Sequence, residues 1–506
     1  MAAGGEVEFK FLFGERDLAK INGLISGVSA VRPPLHQRHR AVYFDTPNSD
    51  LWKHGFSLRV EASGKSYVQT VKRHSSSGVD REEWENATDA LAPDFDLIKK
   101  TPLARLAAKP SIRAALRPAF EVNVERTSHW LEAGGGVIEA SIDRGAIEAA
   151  GEKLGVREFE LELRSGPRPA LFNLARAFVS QAPLHPSSIS KAERGHLLAE
   201  GAFGQAAKGS KPRLGKDMTC EQAFQEICRT CLHDFELNRP GFEKLDNVEA
   251  VHQARVAIRR LRAALALFKP MVFDIAYGNI RAELKWLARL LGAARDLDVL
   301  QERLQQIAGG QTARVKDLVG RCQAERLHAR QAAVDALNSE RGRILLLELG
   351  VWLDDGRWLR QPSSILREPL QGFVSLALKK RHKKLVKQGA DLAHLAPGPR
   401  HQLRITAKEL RYMAEPFVDV PGIAQERKRL KKLIDCCEKL QTALGTIRDE
   451  EALAEFLESG VWGDGAPIDY GAKSTDQRPP QSKKGIEKEL NKAMRAYSNL
   501  AAIDLF

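Results

Sequence analysis

Long apolar runs are missing from this chain of 506 residues. The most apolar stretch, Ile344 to Leu353, is about half as long as a membrane-spanning helix, and Glu348 interrupts it. The N-terminus has neither the basic nor the apolar region of a secretory signal. Cysteine is scarce, with six residues that all fall after position 219. Cys228 and Cys231 stand at CxxC spacing, but no matching Cys or His pair follows. Buried thiols are therefore expected there, in preference to zinc or redox chemistry. These absences point to a cytoplasmic protein without membrane association.

What is present suits a globular chain of two or three domains, with a hydrophobic fraction of 43%. The formal net charge of +13 is unevenly spread. Residues 1–200 carry 27 Lys and Arg against 26 Asp and Glu, whereas the remainder carries 51 against 39. The second part is the basic one, which calls for a polyanionic partner: nucleic acid, anionic membrane or polyphosphate.

Residues 1–200 alternate as strands do and are punctuated by Gly, Ser and Pro. Strands are expected at Glu6–Phe13, Arg38–Phe44, Phe56–Glu61, Ser66–Lys72, Asp80–Glu85, Phe120–Thr127, Val137–Asp143 and Arg157–Arg164. Helical stretches are expected at Arg16–Ser26 and near 96–117. Eight antiparallel strands can close into a barrel. The charged rows are informative. Glu6, Glu8 and Lys10 share one face of their strand while Val7, Phe9 and Phe11 take the other. Arg81, Glu83 and Glu85 form a second row; Glu158, Glu160 and Glu162 form a third. Several charged faces in a domain of near-zero net charge imply a charged interior, with acids for a hard cation and bases for phosphate. Phosphoryl transfer asks a protein chiefly for such positioning and charge neutralisation.

The stretches Glu6-x-Glu8-x-Lys10, Tyr43-Phe44-Asp45-Thr46-Pro47, Leu58-Arg59-Val60, Gln69-Thr70-Val71-Lys72, Glu83-Trp84-Glu85 and Ser190-Lys191-Ala192-Glu193-Arg194 resemble the CYTH family of triphosphate tunnel metalloenzymes. The resemblance spans essentially residues 1–200 in the family's order. It implies an eight-stranded antiparallel tunnel that binds a triphosphate and Mg²⁺ or Mn²⁺. Lys10, Arg59, Lys72, Arg81, Arg126 and Lys191 would grip phosphate oxygens. Glu6, Glu8, Glu160 and Glu162 would hold the metal; Glu6, Glu8, Lys10, Glu83 and Glu85 would form the catalytic set. Where many members have a second basic residue this chain has Glu61, and the lost cation and added anion should weaken triphosphate binding or shift the metal demand.

Residues 201–217, rich in small and basic side chains, are expected to form a flexible linker. From Met218 to about 460 the pattern turns helical and contains an internal duplication. Val251–Arg262 matches Arg400–Arg411, and Leu291–Asp296 matches Leu444–Asp449. Two pseudo-symmetric helical bundles are the economical reading. His252, Arg255, Arg259 and Arg262 stand at i, i+3, i+7 and i+10, within an arc of roughly 80°. His401, Arg404, Lys408 and Arg411 repeat the spacing. Each row is about 15 Å long and contains no acid. These helices resemble the CHAD domain, a conserved-histidine α-helical domain, and the resemblance implies binding of inorganic polyphosphate. Aromatics that would stack nucleic-acid bases are absent from the rows apart from Tyr412, which disfavours nucleic acid. Residues 461–506 are expected to be a loop followed by a helix from Glu487 to Ala502.

The whole reads as an α+β multidomain protein, a β-barrel followed by an all-α domain. The expected function is metal-dependent hydrolysis of inorganic triphosphate beside a polyphosphate-binding domain, which would associate the protein with polyphosphate granules. The alternatives are a polyphosphate-binding protein with a weak or inactive tunnel, and a tunnel enzyme for thiamine triphosphate or ATP.

Overall fold

The computed structural model describes residues 7–63, 66–73, 82–307, 313–361, 364–420, 426–459 and 483–505. Glu6, Arg81 and the expected loop after 460 lie outside the described residues, the last as far as 482.

The N-terminal part is one antiparallel sheet. Its strands are β1 (Glu8–Leu12), β2 (Ser29–Asp45), β3 (Phe56–Ser63), β4 (Ser66–Arg73), β5 (Glu83–Thr88), β6 (Arg117–Ala133), β7 (Gly136–Ala149), β8 (Glu152–Ser165) and β9 (His185–Pro186). They run in the order β5-β4-β3-β2-β6-β7-β8-β1-β9. The expectation of eight strands in a closed barrel is corrected here. The free edge of β1 is taken by the short ninth strand, and no ladder joins β5 to either β1 or β9 among the described residues. Helices α1 (Leu18–Ser26), α2 (Asp50–Lys53), α3 (Phe95–Ile98), α4 (Ala104–Ala107), α5 (Pro110–Ala115), α6 (Arg168–Gln181) and α7 (Lys191–Ala199) are interspersed.

Strand alternation sorts the two faces. On β8, Phe159 and Leu161 join Phe11, Ile138, Ala140 and Ile142 in an apolar cluster covered by α1 and α6. Val42, Phe44, Leu58, Val60 and Val71 form a second cluster under α3, α4 and α5. The opposite face carries the charged rows and is where α7 lies. Ala192 of α7 packs with Tyr43, Phe120, Val122 and Val124. Gly195 is required at that contact, because a Cβ there would stand 2.1 Å from the Phe120 ring.

The C-terminal part is helical: α8 (Cys220–Lys244), α9 (Val248–Leu267), α10 (Lys269–Val272), α11 (Tyr277–Ile307), α12 (Ala313–Asn338), α13 (Glu340–Asp355), α14 (Leu370–Gln388), α15 (Pro397–Ala414), α16 (Arg427–Ser459) and α17 (Lys483–Ala501). Side-chain caps start several of them; Thr219 accepts from Gln222 N at 3.3 Å and Asn247 from Ala250 N at 3.1 Å. Helix α9 packs on α8, α11 and α15, while α15 packs on α16. The expected final helix is α17, whose Ala493, Ala496 and Leu500 enter the helical core. All six cysteines are buried thiols, and burial pushes Cys231 up to about 12. Among the described residues no helix is long and apolar enough to cross a membrane.

The apolar run Ile344–Leu353 falls in α13, and its position explains its composition. Leu345, Leu346, Leu349, Trp352 and Leu353 enter the helical core, whereas Leu347 and Val351 enter the cluster under the sheet. A helix buried on two sides is apolar all round. Glu348 accepts a two-pronged bond from Arg176 of α6, one prong at 2.9 Å. The expected flexible linker is likewise held in place. Ala207 N donates to Asn238 at 2.9 Å, Ser210 N to Asp234 at 2.9 Å and Arg213 N to Glu226 at 2.9 Å. Its basic and small residues look unstructured in sequence because their anchors are backbone groups reaching a distant helix.

Candidate functional site

Strand register builds the centre of the charged face. Arg126, Asp143 and Glu158 are directly opposed across β6, β7 and β8, and Lys10 opposes Glu160 across β1 and β8. Arg126 donates from Nε to Asp143 Oδ1 at 2.6 Å, and from Nη2 to Asp143 Oδ2 at 2.7 Å and to Glu160 Oε2 at 2.6 Å. From α7, Lys191 Nζ lies 2.7 Å from Asp143 and 3.1 Å from Glu160, and it also contacts Glu158. Arg194 reaches the other Glu158 oxygen. Lys10 Nζ stands 3.6 Å from Glu160 and 4.0 Å from Glu158. Ser190 sets this geometry by capping α7, its hydroxyl accepting from Glu193 N at 3.1 Å.

Three carboxylates thus face four cations, and Asp143 and Glu158 are fully buried. Burial disfavours the charged form of Glu160, yet Lys191, Lys10 and Arg126 hold it well below the usual carboxylate range. Asp143 is lowered for the same reason: Lys191 and Arg126 outweigh its burial. One oxygen from each of Asp143, Glu158 and Glu160 lies within 4.8 Å of the others. Such an all-oxygen donor set fits a hard divalent cation such as Mg²⁺ or Mn²⁺.

A second charged group spans β2 to β5. Arg59 Nη2 lies 3.4 Å from Glu61 and 3.9 Å from Glu85, and Lys72 Nζ lies 2.7 Å from Glu83. His39 Nδ1 stands 2.5 Å from Glu61. Burial opposes ionisation of Glu61, but His39, Arg59 and Arg126 bring its pKa below the ordinary value. Glu61 is therefore compensated in place. Burial and the adjacent Glu83 raise Glu85, while Lys72 overcomes burial and lowers Glu83.

Of the expected residues, Lys10, Arg126, Glu160 and Lys191 come together around the three-carboxylate centre. Arg59, Lys72, Glu83 and Glu85 form the neighbouring group. Glu8 and Glu162 oppose each other farther along β1 and β8, where Glu162 bonds Arg164. Asp143, Glu158 and Arg194 were absent from the expected site. Glu158 lay in the alternating row and Arg194 in the quoted Ser190–Arg194 stretch, so both had a local signal. Asp143 had none, since only the pairing of β6, β7 and β8 places it.

The duplicated helices carry a separate basic surface. Arg259 of α9 is largely buried and is pulled down to about 10 by burial and by Arg255, Arg404 and Arg411, although Tyr412 works the other way. The Tyr412 ring centroid is 5.4 Å from the guanidinium of Arg259 and 4.8 Å from that of Arg411. The two rows therefore converge where α9 meets α15. Gly292 of α11 lies against Arg255 as Gly445 of α16 lies against Arg404. His252 is lowered by burial and Arg295, and His401 by burial and Arg448. Arg262 is lowered chiefly by burial, and Lys408 is half-buried. Neighbouring helices supply acids that the rows themselves lack: Asp296 is 2.8 Å from Arg255, and Glu438 is 3.2 Å from Arg411.

Family profiles match in the same two places: the CYTH domain over residues 5–196 and the CHAD domain over residues 226–458. An uncharacterized protein of Mycobacterium tuberculosis is 25% identical over 484 residues, covering 89% of this chain and 88% of its own. An inorganic triphosphatase of Haemophilus influenzae is 28% identical over 173 residues, 32% of this chain and 46% of that protein. The crystal structure of the CHAD domain from the plant Ricinus communis is 23% identical, with a TM-score of 0.44, covering 59% of this chain and 97% of its own.

Proposed function

The chain joins a CYTH domain to a CHAD domain, and we propose that it hydrolyses inorganic triphosphate to diphosphate and phosphate on the charged face of its sheet. The helical domain would hold inorganic polyphosphate on the surface where Arg255, Arg259, Arg404 and Arg411 converge. The observation that carries the reading is the centre of three carboxylates, Asp143, Glu158 and Glu160, enclosed by Lys10, Arg126, Lys191 and Arg194.

In the structure these charges satisfy one another. In the proposed reaction Lys10, Arg126, Lys191 and Arg194, with Arg59 and Lys72 beside them, turn to phosphate oxygens through charge-assisted hydrogen bonds. Asp143, Glu158 and Glu160 are the residues that would hold Mg²⁺ or Mn²⁺, which supplies neutralisation of phosphoryl charge and a more acidic bound water. Glu85, made more basic by burial and by Glu83, is suited to accept a proton from the attacking water. Nucleophilic attack on the terminal phosphorus expels diphosphate, so the protein contributes position and charge without a covalent intermediate.

The similarity to the Haemophilus influenzae inorganic triphosphatase supports this substrate class. The test is phosphate release from tripolyphosphate, ATP and thiamine triphosphate, each with Mg²⁺, Mn²⁺ or EDTA. Metal-dependent release chiefly from tripolyphosphate is expected. No release from any of the three, by protein that still binds polyphosphate, would leave a binding protein with an inactive sheet domain.

A further inference from the structure

Helix α7 is gripped from two sides. On the sheet side Lys191 and Arg194, three residues apart and so on one helical face, reach the carboxylate centre. On the other side the contacts come from α8 of the helical domain. His233 Nε2 lies 2.7 Å from Glu193 Oε1. Glu236 Oε2 accepts from the backbone N of Ser188 at 2.6 Å and from its hydroxyl at 3.0 Å. Arg239 Nη2 stands 3.1 Å from His185 Nδ1 in β9 and 2.9 Å from Asn338 of α12. His233, Glu236 and Arg239 recur every three residues, so they form one side of α8. Their partners run in order along the short segment that delivers α7 to the site.

Apart from the Arg239 bond to Asn338 of α12, these contacts lie outside the packing of α8 itself, which buries Phe224, Ile227, Cys228, Cys231, Phe235 and Phe242 in the helical core. Burial raises Glu236 in spite of its bonds to Ser188 and the nearby His233, whereas the electrostatics of His233 suit a held contact. Burial disfavours a charged His233, but Glu193, Glu236 and Asp234 outweigh it and raise its pKa.

We infer that α8 is a positioning element of the triphosphate site, with His233 and Glu236 fixing the start of α7 and hence the placement of Lys191 and Arg194. This rests on the reading of the charged face as a triphosphate site. It makes the helical domain part of the catalytic apparatus as well as a neighbour of it.

The test uses the full chain and four variants: His233→Ala, Glu236→Ala, the double variant and His233→Gln. Two readouts are taken together: amide hydrogen exchange over residues 188–199, and the steady-state kinetics of phosphate release from tripolyphosphate. In the double variant those amides should lose protection. KM should rise about tenfold, with a smaller change in kcat, as lost charge-assisted bonds imply. His233→Gln keeps an N–H donor for Glu193 and should recover most of the loss seen in His233→Ala. Wild-type exchange and kinetics in the double variant would overturn the inference, as would equal defects in the Gln and Ala variants. A wild-type chain that releases phosphate from no triphosphate would instead refute the proposed function, and the exchange data alone would then decide whether α8 anchors α7.

Discussion

Removing Lys191 tests the carboxylate centre most directly. Its ammonium touches Asp143, Glu158 and Glu160 at once, and its side chain is 15% exposed. Those three acids are also the set that could hold a metal. Lys191 thus stands among the oxygens that would coordinate a divalent ion. In Lys191→Ala the acids keep Arg126, Lys10 and Arg194 but lose their central partner. Breaking a buried pair of this kind costs about 3–5 kcal/mol. For a domain of this size that is a fall in Tm of roughly 10 °C. The sign of the metal effect is more diagnostic. Mn²⁺ must compete with Lys191 in the wild type but finds vacant oxygens in the variant. A metal present at about 100 times its Kd would restore about 2.7 kcal/mol. The assay is differential scanning calorimetry with and without Mn²⁺. An unchanged Tm, or equal Mn²⁺ shifts in the two proteins, would refute the reasoning.

Glu61→Arg places a third cation near Arg59 and Arg126 and removes the partner of His39; a lower Tm and no gain in tripolyphosphate turnover are expected, measured by calorimetry and phosphate release. A large gain would show that Glu61 impairs the site. Changing Arg255, Arg259, Arg404 and Lys408 together to Ala should abolish binding of long polyphosphate while leaving tripolyphosphate hydrolysis largely intact. In the wild type, that binding should weaken with salt by counterion release, which titration at two salt concentrations would show. His196, 4% exposed and stacked on Trp52, is lowered by burial to about 4. Because its folded pKa lies below the unfolded value of about 6.5, the fold favours the neutral ring. Stability should therefore fall by about 3 kcal/mol as the pH drops from about 6.5 to about 4. Urea unfolding of His196→Phe should show a shallower loss over the same interval.

Much of the charged face was legible because strand alternation is local. Glu158, Glu160 and Glu162 fall on one side whatever the rest of the chain does, and Phe159 and Leu161 must then face α6. Asp143 was not legible as a site residue, since its role depends on opposing Arg126 on one strand and Glu158 on another. The expected strand begins only at Arg38, because Pro33 and Pro34 are unusual inside a strand and the residues of the outer part of β2 are mostly exposed. Strand β9 has two residues, too few for any period. The convergence of the basic rows was half legible: the spacing puts each row on one helical face, but only the packing of α9 against α15 brings Arg259 to Arg404 and Arg411.

The pinning of residues 201–217 has a consequence for chain length. A free coil of that many residues would let the two domains wander, with an r.m.s. reach of about 23 Å. A polyanion could then bridge them at almost any length, with an effective concentration that declines smoothly. Fixed along α8 by Asn238, Asp234 and Glu226, the proposed triphosphate site and the proposed polyphosphate surface are instead kept at a set separation, like the jaws of a caliper. Under the proposed function a phosphate chain too short to span them would meet one surface or the other, and a longer one would meet both. Affinity for polyphosphate should therefore rise in a step at one chain length, and the position of that step would measure the distance between the jaws.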